Sequence, residues 1–325
     1  MIGMRIVQVT EFGGPEVLVA GQATDPVAGS GQVVVGVSVA DILSVEVQLR
    51  SGWGAEYFNL SPPYVPGSGV GGEVISVGEG VDPAWIGRRV VTGTDGGGYA
   101  ERAVAPAEEL IPVPDGLAVR EAVALLQIGP AALSLIEGAG IKPGERVLVT
   151  AAAGGLGSLL VQLAHAAGAH VVAAARGSRK LDLTRELGAD TAVDYSEADW
   201  PERVREATGG EGADVVFDGA GGQLGRAAFE VTARDGRFFA YGVLGGGFAQ
   251  VDPGEAEGRG VSVRGIEQVQ FAPGEARRLA ERALSEAAAG RIRPVIGQTF
   301  PLERAAEAHA VIEARDAVGK TLLLI

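Results

Sequence analysis

The chain predicts a two-domain α/β protein: a barrel-like β domain, a doubly wound parallel sheet, and a short returning segment. Three observations carry this. Short β patterns punctuated by Gly and Pro fill the first part. From Arg120 onward, strands and helices alternate, which is the grammar of a parallel sheet covered on both faces. Between them in weight stands Glu145–Lys180, ERVLVTAAAGGLGSLLVQLAHAAGAHVVAAARGSRK. It reads strand, glycine turn, helix, strand, the shape of a dinucleotide-binding unit.

In order, the strand patterns of the first part are Met4–Val9, Gln32–Val39, Gly71–Val77, Arg88–Val91 and Ala100–Val104. Gly13-Gly14-Pro15, Pro62-Pro63, Pro66-Gly67 and Gly96-Gly97-Gly98 separate them, and short strands at close spacing suggest a barrel. Helical patterns cover Arg120–Leu126 and Ala131–Ala139. Then come strand Arg146–Thr150, helix Ser158–Ala167, strand His170–Ala175, helix Arg179–Leu187, strand Thr191–Val193 and helix Pro201–Ala207. Strand Ala213–Asp218, helix Gly225–Thr232 and strand Gly236–Tyr241 continue the alternation, with Val261–Ile266 as an edge strand. Pro273–Ala289 is a long amphipathic helix and Pro301–Glu313 a shorter one before the terminal strand Thr321–Ile325. The predicted divisions are residues 1–119, 120–267 and 268–325.

The glycine turn fits G-x-G-x-x-G with Ala152 in the first glycine's place, then Gly154 and Gly157. Ala153, Gly154, Gly155, Leu156 and Gly157 let the backbone approach a pyrophosphate, and the helix start offers N–H groups and a partial positive charge. An NAD site usually ends its second strand on an acid that accepts from the ribose 2′-OH. This strand instead runs into Arg176-Gly177-Ser178-Arg179-Lys180. Arg176, Ser178, Arg179 and Lys180 suit a 2′-phosphate, which points to NADP(H). Gly219 and Ala220, and Tyr241, Gly242 and Val243, follow later strands at the carboxyl edge of the sheet. Ligands bind at that edge, so these five are assigned to the nicotinamide half.

Composition bounds the rest. The chain has 325 residues, 51 glycines, no cysteine and a net charge of −14. Disulfides, thiol catalysis and cysteine-ligated zinc are thereby excluded. Nucleic acid and anionic membrane are poor partners for so acidic a chain. The N-terminus lacks the pattern of a secretory signal, and a cytoplasmic location is the default expectation. The uncharged run between Arg146 and Arg176 is long enough to span a bilayer, but its glycines and its strand–turn–helix–strand pattern read as a covered α/β core. The three histidines, His165, His170 and His309, show no metal-ligand spacing and are read as structural.

Glu11-Phe12-Gly13-Gly14-Pro15-Glu16-Val17-Leu18, Arg50-Ser51-Gly52, Val65-Pro66-Gly67 through Val81, the Ala-Ala-Ala-Gly-Gly-Leu-Gly turn, Leu187-Gly188-Ala189-Asp190 and the terminal Gly319-Lys320-Thr321 stand in this order. On these motifs the chain resembles, over nearly its whole length, the zinc-independent branch of the medium-chain dehydrogenase/reductase superfamily, specifically the quinone oxidoreductase (zeta-crystallin-like) family. The resemblance implies a GroES-like β-barrel domain beside a Rossmann domain, with the last segment returning to the first. It implies cofactor and substrate in the cleft between the domains, and a homodimer through the Rossmann edge strand near Val261–Ile266. It places Tyr195 on the adenine side of the cofactor and Arg315 near it.

Zinc-dependent relatives carry Gly-His-Glu where this chain has Gly67-Ser68-Gly69, so no metal is expected. Without a Lewis acid to activate an alcohol, the remaining chemistry is hydride transfer to a conjugated acceptor, a quinone or the β-carbon of an enone. Such a reaction needs orientation and a hydrogen bond to the developing enolate oxygen. Gln48, Trp53, Tyr57 and Tyr64 lie where relatives line the cleft, and Tyr57 or Tyr64 is the candidate donor to that oxygen, with a packing role as the rival reading of each. Two departures stand out. Where relatives carry Asn, Asp and Tyr before Arg-Ser-Gly, this chain has Leu43, Glu46 and Gln48; Leu43 joins Trp53 as a substrate-pocket residue, and Glu46 is read as an exposed strand-end carboxylate. Where relatives often have Gly-Leu-Thr, it has Ile128-Gly129-Pro130. These departures leave room for a dedicated enoyl reductase or reductive cyclase, or for a non-catalytic NADPH-binding protein.

Overall fold

A computed structural model of the chain describes residues 3–272 and 274–325. It divides into two compact units: one runs to Gln127 and resumes over Ala280–Ile325, the other is Ile128–Leu279.

In chain order the first unit begins with β1 (Met4–Val9), β2 (Leu18–Ala23), β3 (Gln32–Asp41), α1 (Ser44–Arg50), β4 (Gly69–Val77), β5 (Arg89–Gly93), β6 (Arg102–Pro106), β7 (Ile111–Pro112) and α2 (Val119–Leu126). The second unit holds α3 (Ile128–Ala139), β8 (Arg146–Thr150), α4 (Gly155–Ala166), β9 (His170–Ala175), α5 (Ser178–Glu186), β10 (Thr191–Asp194), α6 (Trp200–Ala207), β11 (Ala213–Asp218), α7 (Gly222–Glu230), β12 (Thr232–Ala240), α8 (Pro253–Gly258) and β13 (Ser262–Arg264). Helix α9 (Glu275–Ala288) leads back to β14 (Ile296–Pro301), α10 (Ala305–Glu313) and β15 (Lys320–Leu324).

The second unit's sheet has the order β10-β9-β8-β11-β12-β13, and every pairing in it is parallel. Counted along the unit, that order is 3-2-1-4-5-6, the doubly wound dinucleotide-binding arrangement. The middles of its central strands are apolar because helices cover both faces: Val147, Leu148, Val149, Val171, Val172 and Phe217 are all fully buried. The strand order reverses between β8 and β11, which pair directly through Val215–Val147 to Phe217–Val149.

In the first unit, the main sheet runs β14-β15-β3-β4-β5-β7, with β6 paired to β3, while β1 and β2 form a separate antiparallel pair. The core between them gathers Val7, Val9, Val37, Val70, Tyr99 and Leu323. Lys320 and Asp41 form an ion pair at 2.6 Å, 6% and 1% exposed, and the Lys320 ammonium also donates to the Ile42 carbonyl at 3.1 Å. Returning strand β15 is thus tied to β3 by charge as well as by its ladder.

Several expectations need correction. The chain crosses between units after Gln127 and after Leu279, later than 119 and 267. Helix α2 packs on β3, β4 and β5, and Ser134 donates to the Gln268 carbonyl, holding that segment in the second unit. Strands β2, β7 and β14 and helices α1 and α8 escaped the sequence reading. Strand β14 has no fully buried residue and β2 only one, so neither shows the alternation by which a strand is recognised. The Val261–Ile266 edge strand is β13, shorter, with all three residues exposed. The predicted helix start Pro273 lies outside the described residues. Among those residues, no single helix is long and apolar enough to cross a membrane.

Candidate functional site

Because the second sheet is parallel, every strand ends on the same edge, and the loops leaving that edge hold most of the candidate residues. The β8–α4 turn supplies Ala153 to Gly157, with Gly154 capping α4. Ala151 takes a left-handed conformation, φ 49°, which an L residue adopts at a cost of about 1–2 kcal/mol. A Cβ on Gly157 would run into the Ala151 carbonyl oxygen. Only glycine lets α4 start this close to the strand end, and the first N–H groups of a helix have no partner within it. A cradle of this kind accepts an anion.

After β9, Arg176, Ser178 and Arg179 are exposed and Lys180 is half-buried. Asp194, at the end of β10, accepts from Gly177 N–H at 2.8 Å, Ser196 N–H at 2.9 Å and the Ser196 hydroxyl at 2.5 Å. Burial is the largest single influence on this carboxyl and acts upward. The bonds from Ser196 and Gly177 and the Arg176 charge together outweigh it and hold Asp194 below its ordinary pKa. The carboxylate thus braces the turn that carries the basic cluster. Tyr195 follows immediately, partly buried against the core of this unit.

The turns after β11 and β12 interlock. Gly245 N–H donates to the Ala220 carbonyl at 2.9 Å, and Gly222 N–H to the Gly247 carbonyl at 2.8 Å. A Cβ on Gly242 would overlap the Gly219 carbonyl, and one on Gly221 the Gly242 carbonyl. Gly219, Ala220, Tyr241, Gly242 and Val243 therefore lie together in a pair of turns packed backbone against backbone. The Tyr241 hydroxyl is buried without a partner; burial, aided by the Asp218 charge, pushes its pKa well up.

The remaining candidates belong to the first unit. Leu43 caps α1 and Gln48 lies on it. Trp53 is 47% exposed and Tyr57 79%, the latter edge-on to Phe58 at 5.0 Å. Tyr64 is half-buried, and burial, with the Glu46 charge, raises its pKa to about 12. Arg315 follows α10 in a left-handed conformation, φ 58°.

Glu46 is not the exposed strand-end carboxylate expected. It sits in the first turn of α1 and is 8% exposed. Leucine at the helix cap offers no oxygen, so Glu46 reaches back and accepts from Leu43 N–H at 2.9 Å, half of a capping box. Its other oxygen accepts from Ser68 N–H at 2.8 Å and the Ser68 hydroxyl at 2.9 Å. Burial is the largest influence on Glu46 and raises its pKa, as does the Asp41 charge; the bonds from Leu43 and Ser68 oppose them.

Of the histidines, His309 is fully buried and shares a 2.8 Å hydrogen bond with the Tyr99 hydroxyl. His170 lies 3.6 Å from Asp190, and His165 packs against Gly188. Among the described residues, no group of three or more His, Asp or Glu could hold a metal. An open groove of roughly 600 Å³, lined by residues including Ser30, Gln32, Asp82 and Trp85, contains none of the candidates. Sequence reasoning overlooked Asp194 and took Glu46 for an exposed carboxylate. The signal for Asp194 was an acid closing a strand beside a Gly-containing basic turn.

Residues 29–115 match the alcohol dehydrogenase GroES-like domain, and residues 155–285 the family described as zinc-binding dehydrogenase. The chain has no cysteine, and Ser68, which stands at the place of a histidine ligand, is engaged by Glu46. The chain is 31% identical to the quinone oxidoreductase of Sus scrofa, over 99% of this chain and 98% of that protein. Among solved structures, the Escherichia coli quinone oxidoreductase complexed with NADPH is 27% identical with a TM-score of 0.90, covering 99% of this chain and 100% of that one. A protein described as an NAD-dependent alcohol dehydrogenase is 32% identical with a TM-score of 0.88, over 99% and 100%.

Proposed function

The chain belongs to the quinone oxidoreductase family of the medium-chain dehydrogenase/reductase superfamily, and on that premise we propose that it is a zinc-free NADPH-dependent oxidoreductase acting on a quinone or an α,β-unsaturated carbonyl. The observation that carries the reading is the convergence, on one sheet edge, of the glycine cradle, the basic cluster at 176–180 and the interlocked turns after β11 and β12. Bound there, NADPH supplies a hydride to the acceptor carbon.

The chain's own residues bind and orient. Gly154 to Gly157 hold the pyrophosphate on helix N–H groups. Ser178, Arg179 and Lys180 take the 2′-phosphate, with Arg176 beside them, through charge-assisted bonds that a free 2′-hydroxyl cannot match. This cluster supports NADPH over NADH even though one similar protein is described as NAD-dependent. Tyr195 is assigned to the adenine side and the turns at Gly219–Ala220 and Tyr241–Val243 to the other half, while Arg315 stays a cofactor candidate on the family resemblance alone. Acceptor binding falls to Leu43, Gln48, Trp53, Tyr57 and Tyr64. Tyr64, protonated throughout the neutral range, can donate a hydrogen bond to a developing enolate oxygen; Tyr57, open to solvent, is the weaker donor.

The second reading, a dedicated enoyl reductase or reductive cyclase, is favoured by the aliphatic Leu43 where relatives carry an amide. The homodimer through β13 is part of the same proposal, supported by the exposed edge of that strand. The test is NADPH oxidation, followed at the nicotinamide absorbance, against a panel of quinones, enals and enones, with NADH as control. Turnover of one acceptor class with NADPH preferred is the expected result. Tight NADPH binding with no turnover of any acceptor would shift the reading to a specialised biosynthetic substrate or a non-catalytic role.

A further inference from the structure

The switch point of the sheet contains a buried acid with no cation beside it. Asp218 ends β11 and Thr150 ends β8, the two strands between which the order reverses; both are fully buried. The Thr150 hydroxyl donates to Asp218 Oδ1 at 2.8 Å. The same Oδ1 accepts from Ala220 N–H and Gly221 N–H, each at 3.1 Å. The Thr150 oxygen in turn accepts from Gly219 N–H at 3.0 Å, with Ala220 N–H at 3.2 Å. Three consecutive amides of the turn after β11 are therefore gathered onto two side-chain oxygens.

The arrangement is expensive to keep. Asp218 Oδ2 has no partner, and its position leaves room only for glycine at 225 on α7. A buried carboxylate without a cation is strongly disfavoured, and burial raises its pKa. A leucine or valine pair at these strand ends would serve packing better. What the pair does that an apolar pair cannot is join two ligand-binding turns: the residue after Thr150 opens the pyrophosphate cradle, and the residue after Asp218 opens the turn assigned to the nicotinamide half.

We propose that Thr150 and Asp218 are positioning residues that set the spacing between these two turns, and so control binding of the nicotinamide half of the cofactor while leaving the adenine half untouched. This rests on the NADPH reading above. The test compares two probes by titration: NADPH, and 2′-phospho-ADP-ribose, which lacks the nicotinamide. In Thr150→Val, which keeps the shape and removes the hydroxyl, NADPH affinity is expected to fall about tenfold, the worth of one hydrogen bond to a charged group. Affinity for 2′-phospho-ADP-ribose is expected to hold within about twofold, and Thr150→Ser to restore NADPH binding to that same margin. In the unliganded protein, the amides of Gly219 to Gly221 should exchange faster in Thr150→Val than in the wild type, with the melting curve marking that the variant is folded. Equal weakening of both probes, or no weakening of either, overturns the proposal. Wild-type protein that binds neither probe overturns the cofactor reading first and the proposal with it, so the two failures are distinguishable.

Discussion

Ser178, Arg179 and Lys180 open α5, and Asp194 braces the turn behind them. If they read a 2′-phosphate, Arg179→Ala and Lys180→Ala should each weaken NADPH binding about tenfold, the loss of one charge-assisted contact. NADH binding should be unchanged, and fluorescence titration with both cofactors decides it. His309 makes a different kind of prediction. Burial, aided by the Arg50 charge, lowers its pKa to about 3, so the folded protein keeps it neutral while the unfolded chain protonates it below an ordinary value near 6.5. The unfolded state then holds more protons, and stability falls as the pH drops. Between pH 7 and pH 5 this one residue should remove about 2 kcal/mol. Denaturant unfolding at the two pH values, compared with His309→Gln, should show that difference in the wild type alone.

At the scale of elements, Gly157 at the start of α4 and Gly221, Gly222 and Gly242 in the interlocked turns leave no volume for a methyl group. Gly157→Ala should cost about 1–3 kcal/mol through overpacking against the Ala151 carbonyl and weaken NADPH binding as the cradle shifts, read by a thermal melt and the same titration. These elements were also the legible ones. The strands flanking the glycine turn are buried on both faces, so their apolar runs announced them, and the basic cluster followed from position alone. Strands β2 and β14 were not legible because their pairing is made by backbone, with side chains mostly at the surface. Glu46 misled for a related reason: the sequence shows a charge, but its burial comes from Leu43 and Ser68, and Ser68 is more than twenty residues away in sequence. Thr150 and Asp218 were visible as strand ends, yet their contact depends on β8 and β11 being neighbours, which only the sheet order reveals.

At the scale of the whole molecule, β13 presents Ser262, Val263 and Arg264 as an exposed edge, and an unpaired edge is a template for another strand. If two chains join there, Val263→Pro removes a donor from the ladder and should convert a dimer to a monomer in sedimentation velocity. A wild type that sediments as a monomer at all concentrations would remove the basis for that assembly.

Strand β15 lies between β14 and β3, inside the first unit's sheet and not at its rim, and its Lys320 neutralises Asp41 from the other end of the chain. During synthesis the nucleotide-binding unit, which is contiguous, can fold as it emerges, since domains fold as units. The first unit has to wait. Its strands from β1 to β7 remain with an open seam, and with an uncompensated acid beside it, until β15 has been made. That interval, rather than the finished protein, is when the chain is most exposed to misassociation, and loss of β15 should be felt as lost yield before it is felt as lost activity.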